Sequence, residues 1–368
     1  MKIVLLAGAS TIHTVRWANG LVAAGHEIHL ISQHPVVDIL HPSVQVYLFP
    51  YRGVLGYFTM IPGVNSLLKK IKPDLVNAHY ASGYGTTAHL INFHPWILSV
   101  WGSDVYDVPY QSIFHKYLVR KNLLSADSVA STSLCMARQV RQLAPLVGEI
   151  AITPFGVDMS LYKNIQPESP VQKDTLVIGT VKTMSKNYGI DTLIIAFSCL
   201  LENMKYKIRL PVPNIRLRLV GGGDQLPSLK NLAQKIGVKD RIDFVGRVPH
   251  GRVPDELRKI DIYVALSRSE SFGVAIVEAS AAGRPVVVSD VGGLPEVTVE
   301  GVTGLVVPRE NPAAAAAALE KLVLDPALRY RMGQAGKQHV SQKYDWETCV
   351  DTMVKVYRTT LESFGARK

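Results

Sequence analysis

Two acidic residues, Glu270 and Glu278, stand eight positions apart in "ALSRSESFGVAIVEASAAGRPVVVSD" (residues 265–290), around a glycine and an apolar run. Two carboxylates can divide acid and base work at one bond, or they can hold the two ends of one long ligand. If the segment between them is mostly helical, eight residues at ~1.5 Å rise set their backbones ~12 Å apart along the axis. Carboxylate pairs that cleave glycosidic bonds stand only about 5 to 10 Å apart. The spacing therefore favours the long ligand, although for either glutamate taken singly a solvated helix charge is the better reading.

The elements that carry them follow from local pattern. "DIYVAL" (Asp261 to Leu266) has the aliphatic, aromatic and β-branched content of a buried strand, and "FGVAIVEASAA" (Phe272 to Ala282) that of a helix packed on a sheet. Gly283 stands where a helix C-cap glycine belongs, Pro285 follows, and "PVVVS" begins the next strand. In this βαβ unit the loop Ser267 to Ser271 lies at the carboxyl end of a parallel strand and opens a helix. Open α/β sheets bind ligands there, and free backbone N–H groups attract phosphate. A nucleotide diphosphate sugar fits the layout, with the diphosphate at the helix N-terminus, one glutamate toward the sugar and the other on the ribose hydroxyls.

The same alternation runs along the chain: "KIVLLAG", "EIHLISQ", "VQVYLFP", "DLVNAHY", "WILSVWG", "SVAST" and "IAITPFG", then "TLVIGTV", "IRLRLVGGG", "RIDFVGR", "DIYVALS", "PVVVSD" and "GLVVP". It predicts an α/β protein of two Rossmann-like, doubly wound domains facing across a cleft. The polar, proline-containing segment Leu161 to Asp174 is the expected linker, which puts the domains at residues 1–165 and 166–345. "NPAAAAAALEKLVLDPALRYRMGQAGKQHV" reads as helices broken at Pro326, and the closing amphipathic helix, 346–368, is expected to complete the first domain.

Composition narrows the class. With 368 residues, 47% of them hydrophobic, the chain can bury two ordinary cores. Its three cysteines are widely spread, with neither a disulfide framework nor a CxxC, which fits a reducing cytoplasm. "MKIVLLAGA" has a signal peptide's lysine and apolar run but flows straight into a loop and helix, as a first strand does. The formal charge of +10 favours anionic partners. Nucleic acid is not expected, because the cations are dispersed and no nucleic-acid motif gathers them. The segment "YRGVLGYFTMIPGVNSLLKKIK" (Tyr51 to Lys72) reads either as a contact to an anionic membrane surface or as an ordinary amphipathic helix with a surface loop.

Taken together, these stretches resemble the family 4 retaining glycosyltransferases of the GT-B fold, and the likeness covers nearly the whole chain. The segment quoted first, followed by "VGGLPEVTVEGVTGLVVP" (Val291 to Pro308), is similar to that family's donor-domain signature in order and spacing. "KPDLVNAHY", "PFGVD", "VKTMSKNYGIDTLIIAF", "LVGGGD" and "FVGRVPH" support it in sequence. The resemblance implies that the second domain binds the donor and the first the acceptor. It makes Glu278 the partner of the ribose hydroxyls, Glu270 a contact to the donor sugar, and Ser271, Phe272 and Gly273 the backbone facing the diphosphate. Lys182, where the family often has arginine, and Lys186 would hold the diphosphate, and with Glu270 they form the catalytic set. Two cations and helix amides suit a departing nucleoside diphosphate. Arg247 and Val248 are expected to hold the base through the main chain.

In the first domain Gly8 and its small-residue loop would let a ligand approach the backbone, while Ser10, His13, Arg16 and His79 are acceptor candidates. An isolated histidine more often packs in a core or sits on the surface. His79 is favoured because it ends a strand before the glycine-rich "YASGYG". No full GxGxxG supports a dinucleotide site. Where many relatives read HG(S/T)D this chain reads "VWGSDV", so Trp101 replaces a histidine while Asp104 remains, and both are assigned to the donor pocket. Trp101 would stack on a sugar face or shape that pocket, and Phe155 replaces an asparagine in "PFGVD".

The resemblance implies a cytoplasmic enzyme, or one peripheral on the inner membrane face. It would move a hexose-type sugar from a nucleotide sugar, with UDP expected from its frequency in such families. The acceptor would be a carbohydrate, a lipid-linked sugar or a small glycoside of cell-surface or exported polysaccharide. No cofactor and no metal are expected, since neither a DxD in context nor clustered His and Cys ligands occur. A sugar-nucleotide 2-epimerase of similar fold and a catalytically silent sugar-nucleotide-binding subunit are the alternatives.

Overall fold

The computed structural model describes residues 1–166, 171, 173–205 and 213–366. The chain divides into two compact units, Met1–Phe155 with Trp346–Lys368, and Gly156–Asp345. Of the linker expected over Leu161 to Asp174, residues 167–170 and 172 lie outside the described residues. Its beginning is no free tether: Tyr162 and Ile165 are buried, and Lys337 Nζ donates to both of their carbonyls.

The first unit holds a seven-stranded parallel sheet: β1 (Lys2–Leu6), β2 (Glu27–Ser32), β3 (Gln45–Leu48), β4 (Leu75–His79), β5 (Trp96–Val100), β6 (Ser128–Ser131) and β7 (Ile150–Ile152), in the order β3-β2-β1-β4-β5-β6-β7. The second holds six parallel strands: β8 (Thr175–Val181), β9 (Asn214–Val220), β10 (Ile242–Gly246), β11 (Ile262–Ala265), β12 (Val286–Ser289) and β13 (Gly304–Val307), ordered β10-β9-β8-β11-β12-β13. Central strands such as β4, β5, β11 and β12 are buried at every residue, which is why their sequences read as continuous apolar runs rather than alternating ones. The strand order reverses between β1 and β4 in one unit and between β8 and β11 in the other. These are the switch points at which open α/β sheets leave a crevice beyond the strand ends.

Helices pack on both cores. Met136 and Val140 of Leu134–Leu143 cover the first, and Leu193, Phe197 and Leu200 of Ile190–Lys205 cover the second. Asp325 caps the helix Pro326–Lys343 by accepting the Leu328 N–H, so the break expected at Pro326 is a capped junction. The closing helix, Trp346–Gly365, belongs to the first unit, where Trp346 packs on Trp17 with ring centres 5.0 Å apart. Among the described residues no helix is long and apolar enough to cross a membrane.

One helix differs from expectation. The segment expected to be helical from Phe272 begins at Val274, because Gly273 takes φ +107°, a left-handed value that starts rather than continues a helix. Glu270 therefore lies in the preceding loop and only Glu278 on the helix Val274–Ala281, so the fully helical spacing of the two glutamates does not apply. The far end is as expected. Gly283 at φ +69° donates to Ser280 O while Arg284 N–H donates to Ala279 O, the paired bonds of a Schellman cap.

Candidate functional site

In the second unit, the chain leaving β8 and the chain leaving β11 meet at the switch point. Lys182 follows β8 directly, and its ammonium donates to Glu270 Oε2 at 2.5 Å. The two side chains keep only 11% and 12% of their exposure. Ser267 Oγ donates to the same carboxylate oxygen at 3.4 Å, and the Tyr188 ring lies 4.3 Å from the ammonium. Burial alone would push the Lys182 pKa down, but the Glu270 carboxylate, with Tyr263 and Tyr188, more than offsets it and holds the lysine charged, above its ordinary range.

Two glycines make this approach possible. A Cβ on Gly221, at φ +141°, would fall 1.9 Å from the Lys182 carbonyl oxygen, and one on Gly292, at φ +53°, would fall 1.7 Å from that of Glu270. Gly293 N–H then donates to Glu270 O at 3.1 Å, fixing the loop from the far side.

Arg268, which the motif reading did not single out, locks the same loop to the one that carries Lys186. Its guanidinium donates to both oxygens of Asp191, to Glu310 Oε1 and to the Lys186 carbonyl, at 2.7 to 2.9 Å. Its backbone N–H donates to Asn187 O. Asp191 first and Glu310 second raise the pKa of the guanidinium, and Arg268 in turn holds the Glu310 carboxyl below its ordinary value. No local signal could have found it, since its partners lie 42 to 82 positions away. Lys186 itself is exposed, and among the described residues its ammonium has no partner.

The other residues expected on the donor side belong to the same unit. Glu278, almost buried on its helix, has His250 Nε2 3.8 Å from its carboxylate. Ser271 is half-buried, while Phe272 is buried with its ring edge-on to Tyr344. Arg247 is exposed beside Gly222 and Val248 is half-buried.

The first unit gathers a second set at its own switch point. Gly8 and the exposed Ser10 follow β1, and His79 ends β4. His79 is 1% exposed with no partner for Nδ1, and burial pushes its pKa down to about 3, so the ring is neutral. It lies against Trp101, ring centres 4.4 Å apart. Trp101 is also edge-on to Phe155 at 5.4 Å and to His13 at 6.0 Å, and His13 stacks on Phe155 at 4.2 Å. The two departures from the resembled pattern, Trp101 and Phe155, thus touch one another and act as one aromatic wall.

Asp104 is fully buried and accepts backbone N–H groups of Ala81, Trp101 and Gly102, so its carboxylate organises the loop on which Trp101 sits. Burial raises its pKa against the pull of these donors. Arg16, one turn beyond His13 on the helix Ile12–Ala23, holds its guanidinium 4.4 Å over the Trp346 ring. Among the described residues no three His, Cys, Asp or Glu side chains gather as a metal cluster.

Comparison with known proteins accords with this geometry. The family described as Glycosyl transferases group 1 matches residues 162–339, and Glycosyl transferase 4-like matches residues 2–133. A D-inositol 3-phosphate glycosyltransferase of Nocardiopsis dassonvillei is 32% identical, over 96% of this chain and 90% of its own. An uncharacterized glycosyltransferase of Methanocaldococcus jannaschii is 26% identical over 90% and 89%. Among solved structures, the sucrose-phosphate synthase of Thermosynechococcus elongatus superposes with a TM-score of 0.83 at 21% identity, over 99% of this chain and 100% of that one. Anabaena HepE, solved with UDP and glucose, superposes with a TM-score of 0.75 at 19% identity, over 96% and 98%. With its two parallel-sheet Rossmann-like units of GT-B type, the chain belongs to the group 1 glycosyl transferases.

Proposed function

We propose that the protein transfers a hexose-type sugar from a UDP-sugar to a hydroxyl acceptor, with retention of anomeric configuration and without a metal ion, in the making of cell-surface or exported glycoconjugates. The observation that carries this reading is the Lys182–Glu270 pair at the β8/β11 switch point, with unpartnered Lys186 held nearby through Arg268. The leaving group is a diphosphate, and the charge it gains as the bond to the sugar breaks is the charge that Lys182, Lys186 and the amides opening the helix Val274–Ala281 are suited to take. Glu278 would accept the ribose hydroxyls, as a carboxylate does. Glu270, held by the Lys182 ammonium, would accept hydroxyls of the sugar. HepE, of like fold, binds UDP and UDP-glucose, which supports uridine as the base.

The chemical step balances without a protein base. The anomeric carbon loses its bond to the phosphate oxygen and gains one to the acceptor oxygen on the same face, and the acceptor proton passes to the departing phosphate. Neutral His79 and the aromatic wall of Trp101 and Phe155 would bound the acceptor and sugar, the imidazole by a hydrogen bond to a hydroxyl. Lysines at 182 and 186 supply the positive charge that a divalent ion would otherwise bring.

The test is a panel of UDP-, GDP- and ADP-sugars without added metal, following nucleoside diphosphate release with and without candidate acceptors and reading the product anomer by NMR. Release that depends on one UDP-sugar, rises with an acceptor and gives the donor's anomer supports the proposal. Interconversion of the sugar without an acceptor would make the protein an epimerase. Binding of every donor without release would make it a silent subunit.

A further inference from the structure

One face of the first unit is apolar, cationic and assigned no part in sugar transfer. The segment Tyr51 to Lys72 forms two helices with opposite habits. Ile61–Ile71 turns Val64, Leu68 and Ile71 into the core, whereas Gly53–Thr59 turns its apolar side chains outward, with Leu55 75% exposed. A second segment meets it there. The helix Ile113–Ser125 exposes Ile113, at 89%, with Phe114 and Tyr117. Val54, Tyr57 and Phe58 from the first helix and Phe114 and Leu118 from the second line a common groove of ≈ 190 Å³. Segments about 60 positions apart thus build one apolar surface.

Charge lies beside it. A pocket of ≈ 370 Å³ on the same helix joins Tyr117 to Arg120, Lys121 and His89. Lys116, Arg120 and Lys121 are exposed, and the helices Gly53–Thr59, Gly83–Ile91 and Ile113–Ser125 carry no acidic residue. From Ile39 to Ala126 the sequence has only three acids. Asp104 is buried among backbone donors, Asp74 accepts the Lys2 N–H at the opposite end of the sheet, and Asp107 precedes the turn at Val108. A symmetric second copy laid on this face would set like charges against each other. An interface that is apolar and aromatic at its centre and phosphate-bearing at its rim satisfies both halves.

We propose that this face docks on a bilayer containing anionic phospholipid. Leu55, Phe58, Ile113, Phe114 and Tyr117 enter the headgroup boundary, and Lys116, Arg120 and Lys121 lie against lipid phosphates. The proposal uses no step of the transfer reaction, so it stands or falls separately from the donor and acceptor assignments. The groove begins at Ser82 and Gly83, just beyond His79, so docking would bring the acceptor-side residues of this unit to the membrane surface.

The experiment is flotation of the full chain with phosphatidylcholine vesicles and with mixed phosphatidylcholine–phosphatidylglycerol vesicles, at low and high salt. Two variants accompany it, Leu55→Gln/Ile113→Gln and Lys116→Gln/Arg120→Gln/Lys121→Gln. All five positions are exposed and outside the site, so both variants keep the wild-type melting curve and UDP binding. Each cation near an anionic surface is worth roughly fivefold in partitioning, so the triple variant loses roughly a hundredfold. Flotation that requires phosphatidylglycerol, falls with salt and is lost in both variants supports the proposal. Absence of wild-type flotation, equal flotation on neutral vesicles, or wild-type flotation by either variant overturns it. A concentration-dependent dimer abolished by Leu55→Gln/Ile113→Gln, without vesicle binding, would give the face to a second copy instead.

Discussion

Replacing Lys182 by methionine removes one half of an ion pair at the β8/β11 switch point and leaves the Glu270 carboxylate with the Ser267 hydroxyl at 3.4 Å. Breaking a buried pair from one side destabilises by about 3 to 5 kcal/mol. Because both side chains retain a little over a tenth of their exposure, 11% and 12%, residual solvation places Lys182→Met at the lower end, about 3 kcal/mol. Glu270→Gln leaves the ammonium against the Tyr188 ring and is milder, about 2 kcal/mol. The double variant removes both charges together and should be little worse than Lys182→Met alone, a coupling of about 2 kcal/mol.

Urea unfolding of the four proteins, read from the transition of the second unit, measures that coupling. For a unit of this size the lysine variant alone should lower Tm by roughly 6 to 12 °C. The coupling also has a pH signature. The folded pKa of Lys182 lies above its ordinary 10.5, so folding tightens the proton. The stabilisation is fully present below pH 10.5 and is lost as the pH rises through the folded value. A coupling within about 0.5 kcal/mol of zero would refute the argument that the pair is desolvated and mutually dependent.

Four further outcomes are expected. Lys186→Ala and Glu278→Ala should each weaken UDP binding roughly 10- to 100-fold by calorimetry, the range of one charge-assisted hydrogen bond, with Tm unchanged. Gly292→Ala places a Cβ 1.7 Å from the Glu270 carbonyl at φ +53° and should lower stability by at least 1 to 2 kcal/mol while weakening UDP binding, so unchanged UDP affinity would separate that loop from the site. Arg268→Lys keeps the charge but loses the fork on Asp191 and the Lys186 carbonyl, and should raise the donor KM roughly tenfold with a smaller change in kcat. Because burial holds the His79 pKa near 3, NMR titration should find the ring neutral from pH 8 to 5, and its contribution to stability should fall below pH 6.5, where the unfolded chain alone takes the proton.

Central strands such as β4, β5, β11 and β12 were legible in the sequence because a parallel sheet covered on both faces demands unbroken apolar runs, whereas β9 showed itself by the alternation of "IRLRL" and the exposed β3 by its β-branched and aromatic content. The order of the strands is another matter. Lys182 and Glu270 lie 88 positions apart, and nothing in the local period of either segment says that β8 and β11 pair. Position in a motif placed both residues at strand ends, but only the reversal of sheet order makes them one ion pair. Arg268 was silent for the same reason, since a guanidinium whose partners come from two distant segments, Lys186 to Asp191 and Glu310, has no local pattern. The start of the helix at Val274 was misread because apolar content continues through Phe272, whereas the backbone is set by the left-handed Gly273.

The segment Tyr51 to Lys72 shows the complementary failure. As one amphipathic stretch it had two explanations, a buried face or a membrane contact. The fold gives a buried face to one half only, since Ile61–Ile71 packs inward, whereas Gly53–Thr59 is left outward, where Ile113–Ser125 joins it in the face proposed to dock on a bilayer. Amphipathicity reports only that a face must be covered. The proposed cover is argued from the second helix, whose cations meet no acidic residue on the helices Gly53–Thr59 and Gly83–Ile91, a pattern that favours an anionic surface over another copy of the same face.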